Sequence, residues 1–255
     1  MRTLCVDVGG AGIKALVVGA GGEARTERAR VPTPRPATPE AVLQAILGLA
    51  AGQGHYDRVS VGFPGVVEDG VIGTAVNLDG EEWVGYPLAD VLHRELGRPV
   101  RVANDAGVQG LGVVQGHGTE VVVTLGTGMG FGLYIDGRYV PNIELGHHPF
   151  RKGQSYEERV CEAERAKIGT KRWRKRVHQV VEQLRHTFNF RELYIGGGNA
   201  RLLAEEDFGE RVRVVDNVAG LIGGLRLWSD ADVSTLDDLD RVPAGAGSPG
   251  RPARR

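Results

Sequence analysis

Two cysteines in 255 residues, Cys5 and Cys161, are too few for a disulfide framework, and both read as reduced thiols of a cytoplasmic protein. No apolar run approaches the ~18 residues of a membrane span, and the N-terminus lacks the pattern of a secretory signal. Neither membrane insertion nor secretion is expected. Charge of one sign is not in excess either: 31 basic residues against 32 acidic ones leave a formal net charge of -1. That balance argues against nucleic acid or a lipid surface as a partner. No GxxxxGK[ST] stretch occurs, which removes the P-loop. The length suits one large domain or two modest ones with a full core.

What the chain has in quantity is glycine, 39 residues of it, gathered at the ends of apolar runs: Gly9 to Gly12, Gly126 to Gly132 and Gly196 to Gly198. Glycine in such places lets backbone approach a ligand closely or supplies a positive φ. From Ser229 onward the character changes. An acidic stretch leads into AGAGSPGRPARR, and residues 230–255 have so little to bury that a disordered tail is expected.

The periodicity predicts an α/β protein. Apolar runs mark strands over Leu4 to Asp7, Ile13 to Val18, Val59 to Phe63, Val100 to Val102, Val121 to Leu125, Leu193 to Ile195 and Val212 to Val215, with a more polar strand over Glu23 to Val31. Asp136-Gly137 between two apolar runs signals a tight hairpin. Thr38 followed by Pro39 opens a helix, Leu88 to Leu96 forms another, and Trp173, Val177, Val180, Val181, Leu184 and Phe188 lie on one face of a long one. A glycine-containing helix, Val218 to Trp228, closes the chain. An antiparallel start followed by mixed units occurs near residue 4 and again near residue 120, which predicts two similar halves with a cleft between them.

The stretch Asp7-Val8-Gly9-Gly10-Ala11-Gly12-Ile13-Lys14 carries the chemistry of the first half. Gly10-x-Gly12-x-x-Ala15 imitates a dinucleotide-binding fingerprint, but that fingerprint needs a helix to follow, and Ile13 to Val18 is a strand pattern. A glycine turn between strands can still offer backbone N–H groups to an anion, with Lys14 as a point charge and Asp7 as a seat for hydrated Mg²⁺. Alone it reads equally well as a tight hairpin closed by an ion pair. Leu125-Gly126-Thr127-Gly128-Met129-Gly130 repeats the device, and two such turns on one chain favour phosphate.

With both turns in view, the chain resembles the ROK family of sugar kinases and regulators, in the actin/hexokinase-like ATPase superfamily. The resemblance runs from about Arg2 to Trp228 and is nearest to the polyphosphate-dependent glucokinase branch. It is carried by DVGGAGIK, the segment Phe63-Pro64-Gly65-Val66-Val67, Asn77-Leu78-Asp79 with Trp83, Asn104-Asp105, LGTGMG, Glu144-Leu145-Gly146-His147 and Asn217-Val218-Ala219-Gly220. It implies two similar actin-like (ribonuclease H-like) α/β domains, residues 1–103 with 217–229 and residues 104–216, around an active-site cleft. It implies a hexose kinase that uses ATP or inorganic polyphosphate with Mg²⁺, and a homodimer.

By the same resemblance Asp7, Gly9, Gly10, Gly12, Lys14, Gly126, Thr127, Gly128 and Gly130 hold donor phosphates, and Gly196, Gly197 and Gly198 lie near a nucleoside. Asp7 would hold Mg²⁺ through water. Asp105 is the general base for the sugar hydroxyl, a group whose very high pKa requires one; its plainer reading is a helix cap. Asn77, Asp79, Asn104, Glu144, His147 and Glu158 would bind the sugar. His147 and His148 invite zinc, but the cysteine motif that completes such a site in many relatives is missing, so no zinc site is expected.

Three departures stand out. Ala11 replaces the threonine or serine of relatives, a loss of about 1 kcal/mol or more of phosphate binding. His148 to Lys152 also differ, which bears on sugar specificity. The basic run Lys171 to Arg176 reads as a solvated helix face or as a track for a polyanion. A sugar-binding sensor without catalysis is the competing reading; a repressor of the family would need a DNA-binding segment ahead of the first turn.

Overall fold

A computed structural model describes residues 1–78, 81–215 and 218–228. Asp79, Asn217 and the tail 230–255, on which sequence expectations were placed, lie outside the described residues.

The chain opens with β1 (Arg2–Gly9), β2 (Gly12–Gly19), β3 (Ala29–Val31) and α1 (Pro39–Ala51). It continues through β4 (Arg58–Phe63), a short ribbon of β5 (Val67–Glu68) and β6 (Val71–Ile72), α2 (Leu88–Leu96), β7 (Val100–Asn104) and α3 (Asp105–Leu111). Then follow β8 (Thr119–Leu125), β9 (Met129–Ile135), β10 (Arg138–Val140), the hairpin β11 (Pro149–Arg151) and β12 (Gln154–Ser155), α4 (Tyr156–Val160), α5 (Glu162–Ile168) and α6 (Thr170–Phe188). β13 (Glu192–Gly196), β14 (Val212–Val214) and α7 (Val218–Arg226) end it.

The two halves repeat one topology. The first sheet is ordered β3-β2-β1-β4-β7 and the second β10-β9-β8-β13-β14. In each, three antiparallel strands precede two parallel ones. The duplication predicted from the spacing of apolar runs is therefore present strand for strand. Thr38 caps α1 by accepting from the Ala41 amide (3.3 Å). Asp136 and Gly137, both at positive φ (50° and 80°), form the turn between β9 and β10. The polar strand expected over Glu23 to Val31 is reduced to Ala29–Val31 and a single bridge between Val18 and Ala24. The Thr26 hydroxyl takes the Val17 amide (3.0 Å), so a side chain replaces the backbone partner there.

Each half has its own core. In the first, Trp83 is fully buried beside Phe63, with ring centroids 4.8 Å apart, and its indole N–H reaches the Ala37 carbonyl (2.8 Å). In the second, Trp173 of α6 is equally buried and donates to the Val160 carbonyl (2.7 Å). α3 joins the halves: it follows β7 directly and packs against β8 and β9 as well as β4. Gly107 and Gly110 make this possible, since a Cβ at either would overlap the rings of Tyr139 or Tyr134. The Tyr134 hydroxyl donates to the Gly107 carbonyl (2.5 Å). α7 packs across β1, β2 and β4 and against α3. Ser60 bonds the Gly224 carbonyl (2.6 Å) and accepts from the Trp228 indole (2.8 Å). Among the described residues no helix is long and apolar enough to cross a membrane.

Candidate functional site

The cleft lies between the sheets at the ends of β1, β4, β7, β8 and β13. The hairpin register places Asp7 opposite Lys14 and Gly9 opposite Gly12, so the turn is Gly10-Ala11, with Asp7 and Lys14 side by side below it. Lys14 Nζ lies 2.7 Å from Asp7 Oδ2. In the second half Thr124 stands opposite Gly130 and Leu125 opposite Met129. The Gly126 amide closes that turn on the Gly128 carbonyl (3.0 Å). Gly197, at φ 88°, brings the end of β13 against Leu125, where any Cβ would overlap backbone.

Asp105 is the first residue of α3. The cap is Asn104, whose side chain accepts from the Gly107 amide (3.1 Å), while Asp105 Oδ1 accepts from the adjacent Ala106 amide (2.7 Å). The plainer reading of Asp105 as a cap therefore belongs to its neighbour. Gly62 of β4 lies under it: a Cβ there would stand 3.2 Å from Asp105 Cα. Burial, then the negative charge of Asp7, then that of Glu144, push the Asp105 carboxyl up to about 8, against the Ala106 N–H and Lys14. Asn104 Nδ2 donates to the Gly65 carbonyl (3.1 Å) and to Glu144 (3.2 Å). Glu144 is raised by burial and by Glu157, with His147 opposing. His147 Nε2 is 3.6 Å from Glu144 Oε2. A carboxylate that titrates near neutrality, facing two glycine turns, can accept a proton from a weakly acidic hydroxyl.

Asp7, Gly9, Gly10, Lys14, Asn77, Asn104, Asp105, Gly126, Thr127, Gly128, Gly130, Glu144, His147, Gly197 and Gly198 all line this cleft. Gly12 does not; it packs under Arg30, whose guanidinium is 2.7 Å from where a Cβ would stand. Gly196 ends β13 beside Thr124, outside the lining. Glu158 is a correction. It is exposed and closes a capping box with Ser155, accepting from the Ser155 amide (2.7 Å), and the cleft is lined instead by Glu157. Glu157 also accepts from the Met129 amide (2.9 Å), which ties α4 to the second glycine turn. Ser155-x-x-Glu158 has the capping-box spacing, which marks Glu158 as a cap partner but does not tell which way Glu157 faces. Gln109, one turn of α3 beyond Asp105, also reaches the cleft and carried no sequence signal. In the basic run, Arg174 donates to the Leu202 carbonyl (2.6 Å) and Arg176 pairs with Glu164 (2.6 Å), while Lys171, Arg172 and Lys175 are exposed.

Two glycine hairpins of a duplicated actin-like fold, facing a desolvated carboxylate, define a phosphotransferase with an alcohol acceptor. Residues 3–163 match the ROK family, and the chain belongs to it. It is 33% identical over 235 residues to the polyphosphate glucokinase of Mycobacterium tuberculosis, spanning 86% of this chain and 88% of that one. Among solved structures it resembles the inorganic polyphosphate/ATP-glucomannokinase of Arthrobacter sp. strain KM (TM-score 0.80, 31% identity, 88% of this chain and 97% of that chain). A ROK family glucokinase from Streptomyces griseus, in complex with glucose and AMPPNP, shares the fold (TM-score 0.70, 24% identity, 89% and 99%).

Proposed function

We propose that the protein is a hexose kinase that transfers a phosphoryl group from ATP or polyphosphate to the 6-hydroxyl of glucose or a related hexose. The observation that carries this reading is Asp105, raised to about 8 in a cleft that the two glycine turns also line. The 6-hydroxyl gives its proton to the Asp105 carboxylate as its oxygen bonds phosphorus, and the bond from phosphorus to the leaving phosphate oxygen breaks. Asn104, Glu144, His147 and Asn77 hold the sugar, with Asp79 from outside the described residues and Glu157 in the role first given to Glu158. The turns at Gly9–Gly10 and Gly126–Gly130, with Thr127 and Lys14, hold the donor, and Gly197 and Gly198 border its far end.

Mg²⁺ fits this site on its donor chemistry. Asp7 and Asp105 are close enough for the one to raise the other, and ions of this kind take one or two carboxylates, keep several waters and rely on substrate phosphates for the rest. Asp7 would hold it through water, and when bound it supplies neutralisation of the donor's charge. The two bodies that close on the sugar are residues 1–103 with α7 and residues 104–216, and the active form is a cytoplasmic homodimer.

Ala11 favours a second reading, a sugar-binding sensor with little or no turnover. Lys14, Asp7 and Asp105 together support the enzyme. The deciding experiment is glucose phosphorylation by the purified protein with Mg²⁺ and either ATP or polyphosphate, beside Asp105→Asn. Turnover with one donor that the substitution abolishes is the expected result. Sugar binding without turnover on any hexose would move the sensor to first place.

A further inference from the structure

The carbonyls of the first glycine turn are all taken by side chains of one short segment behind it. Thr33 Oγ1 donates to the Gly9 carbonyl (2.5 Å), Arg35 to that of Gly10 (2.9 Å) and Arg30 to that of Ala11 (3.2 Å). None of these three residues lines the cleft. In a planar trans peptide the C=O of one residue and the N–H of the next point in opposite directions. Holding the Gly9 and Gly10 carbonyls from the segment 30–35 therefore turns the amides of Gly10 and Ala11 away from it. That is the side on which Gly9 and Gly10 border the cleft. Gly12 is part of the same arrangement, since only a residue without a Cβ leaves room for the Arg30 guanidinium over the turn.

We propose, resting on the reading of this turn as a donor phosphate site, that Thr33, Arg35 and Arg30 are its positioning residues. They lock the peptide planes of Gly9 to Ala11 so that backbone N–H groups face the phosphate, and they offset the hydroxyl that Ala11 lacks. Orientation rather than charge is the cause. Both arginines are exposed, where water screens their field, while each hydrogen bond fixes a peptide plane directly. Thr33, by contrast, is buried and has no charge at all.

The test is steady-state kinetics of wild type, Arg35→Ala, Arg35→Gln, Arg30→Ala and Thr33→Val, with donor and glucose varied separately. Arg35→Ala and Thr33→Val are expected to raise KM for the phosphoryl donor on the order of tenfold, with KM for glucose and the melting temperature unchanged. Arg35→Gln keeps an N–H donor without the charge and is expected to stay near wild type. Unchanged donor KM in Arg35→Ala overturns the proposal. So does damage by Arg35→Gln equal to that by Arg35→Ala, which would make charge the cause. A parallel rise of both KM values with a lower melting temperature would reveal a merely structural role. If Thr33→Val fails to fold, the exposed Arg35 pair still decides. Wild type without turnover on any hexose removes the donor reading, and this inference with it; normal wild-type turnover with insensitive variants removes the inference alone.

Discussion

Asp105 shows how much one residue's surroundings set its chemistry. An aspartate after an apolar run is an ordinary sight, and in sequence it is as good a cap as a base. In the structure its neighbour Asn104 does the capping, and burial with Asp7 and Glu144 raises Asp105 to about 8. A base must be unprotonated to act, so kcat/KM of the proposed kinase is expected to rise with pH and level off above about 8, a profile measurable with saturating Mg²⁺. The same shift has a cost in stability. Because the folded pKa lies above the unfolded one, the native state binds the extra proton between the two values, and stability falls as pH rises from the usual aspartate range through about 8. Asp105→Asn is therefore expected to melt several degrees above wild type near pH 8 and close to it near pH 4, in scans of the ligand-free protein. Glu157 and Glu158 offer a matched pair. Glu157→Gln is expected to raise KM for glucose and lower kcat, whereas Glu158→Ala loses only the N3 half of a capping box, about 0.3–1.5 kcal/mol of stability, with kinetics unchanged.

At the scale of elements, strands and turns place the groups proposed to react. β1 and β2 end in a turn because Gly9 pairs with Gly12, and β8 and β9 repeat the form with Leu125 opposite Met129. The apolar runs that predict these strands are long and unambiguous, and the glycines mark where each turn falls. The third strand was overread because Glu23 to Arg28 have no apolar face to bury, and a Thr26 hydroxyl took the place of a ladder bond. Glu157 and Gln109 were missed for a related reason: the side that a short helix turns to the cleft depends on what packs behind it. β4 positions Asp105 through Gly62, whose Cβ would press 3.2 Å from Asp105 Cα. Gly62→Ala is expected to lower kcat on the order of tenfold or more while shifting the melting point little, because displacement of a catalytic group by a few tenths of an ångström costs rate before it costs stability. Gly110→Ala makes the opposite test. Its methyl would overlap the Tyr134 ring between the halves, so a loss of about 1–3 kcal/mol is expected in denaturant melts.

For the whole molecule, the matter is how two copies of one topology make a single site. Each half buries its own core, and neither holds a complete set of groups. The first contributes Asp7, Lys14 and the turn at Gly10, the second Glu144, Glu157 and the turn at Gly126, and α3 carries Asp105 between them. Closure of the halves on a hexose would expel water and protect the donor. Donor hydrolysis without sugar is accordingly expected to be far slower than sugar phosphorylation, and small-angle scattering should show a smaller radius of gyration with glucose bound. By itself the sequence determined the strands of each half, the duplication and the two glycine turns, because these depend on local periodicity and on residue types with few alternative uses. Only the tertiary structure decided that Asn104 is the cap, that Glu157 rather than Glu158 faces the cleft, and that Thr33, Arg35 and Arg30 hold the first turn. Those outcomes rest on which groups meet across the fold and on how much water their meeting removes, and neither is written in the spacing along the chain.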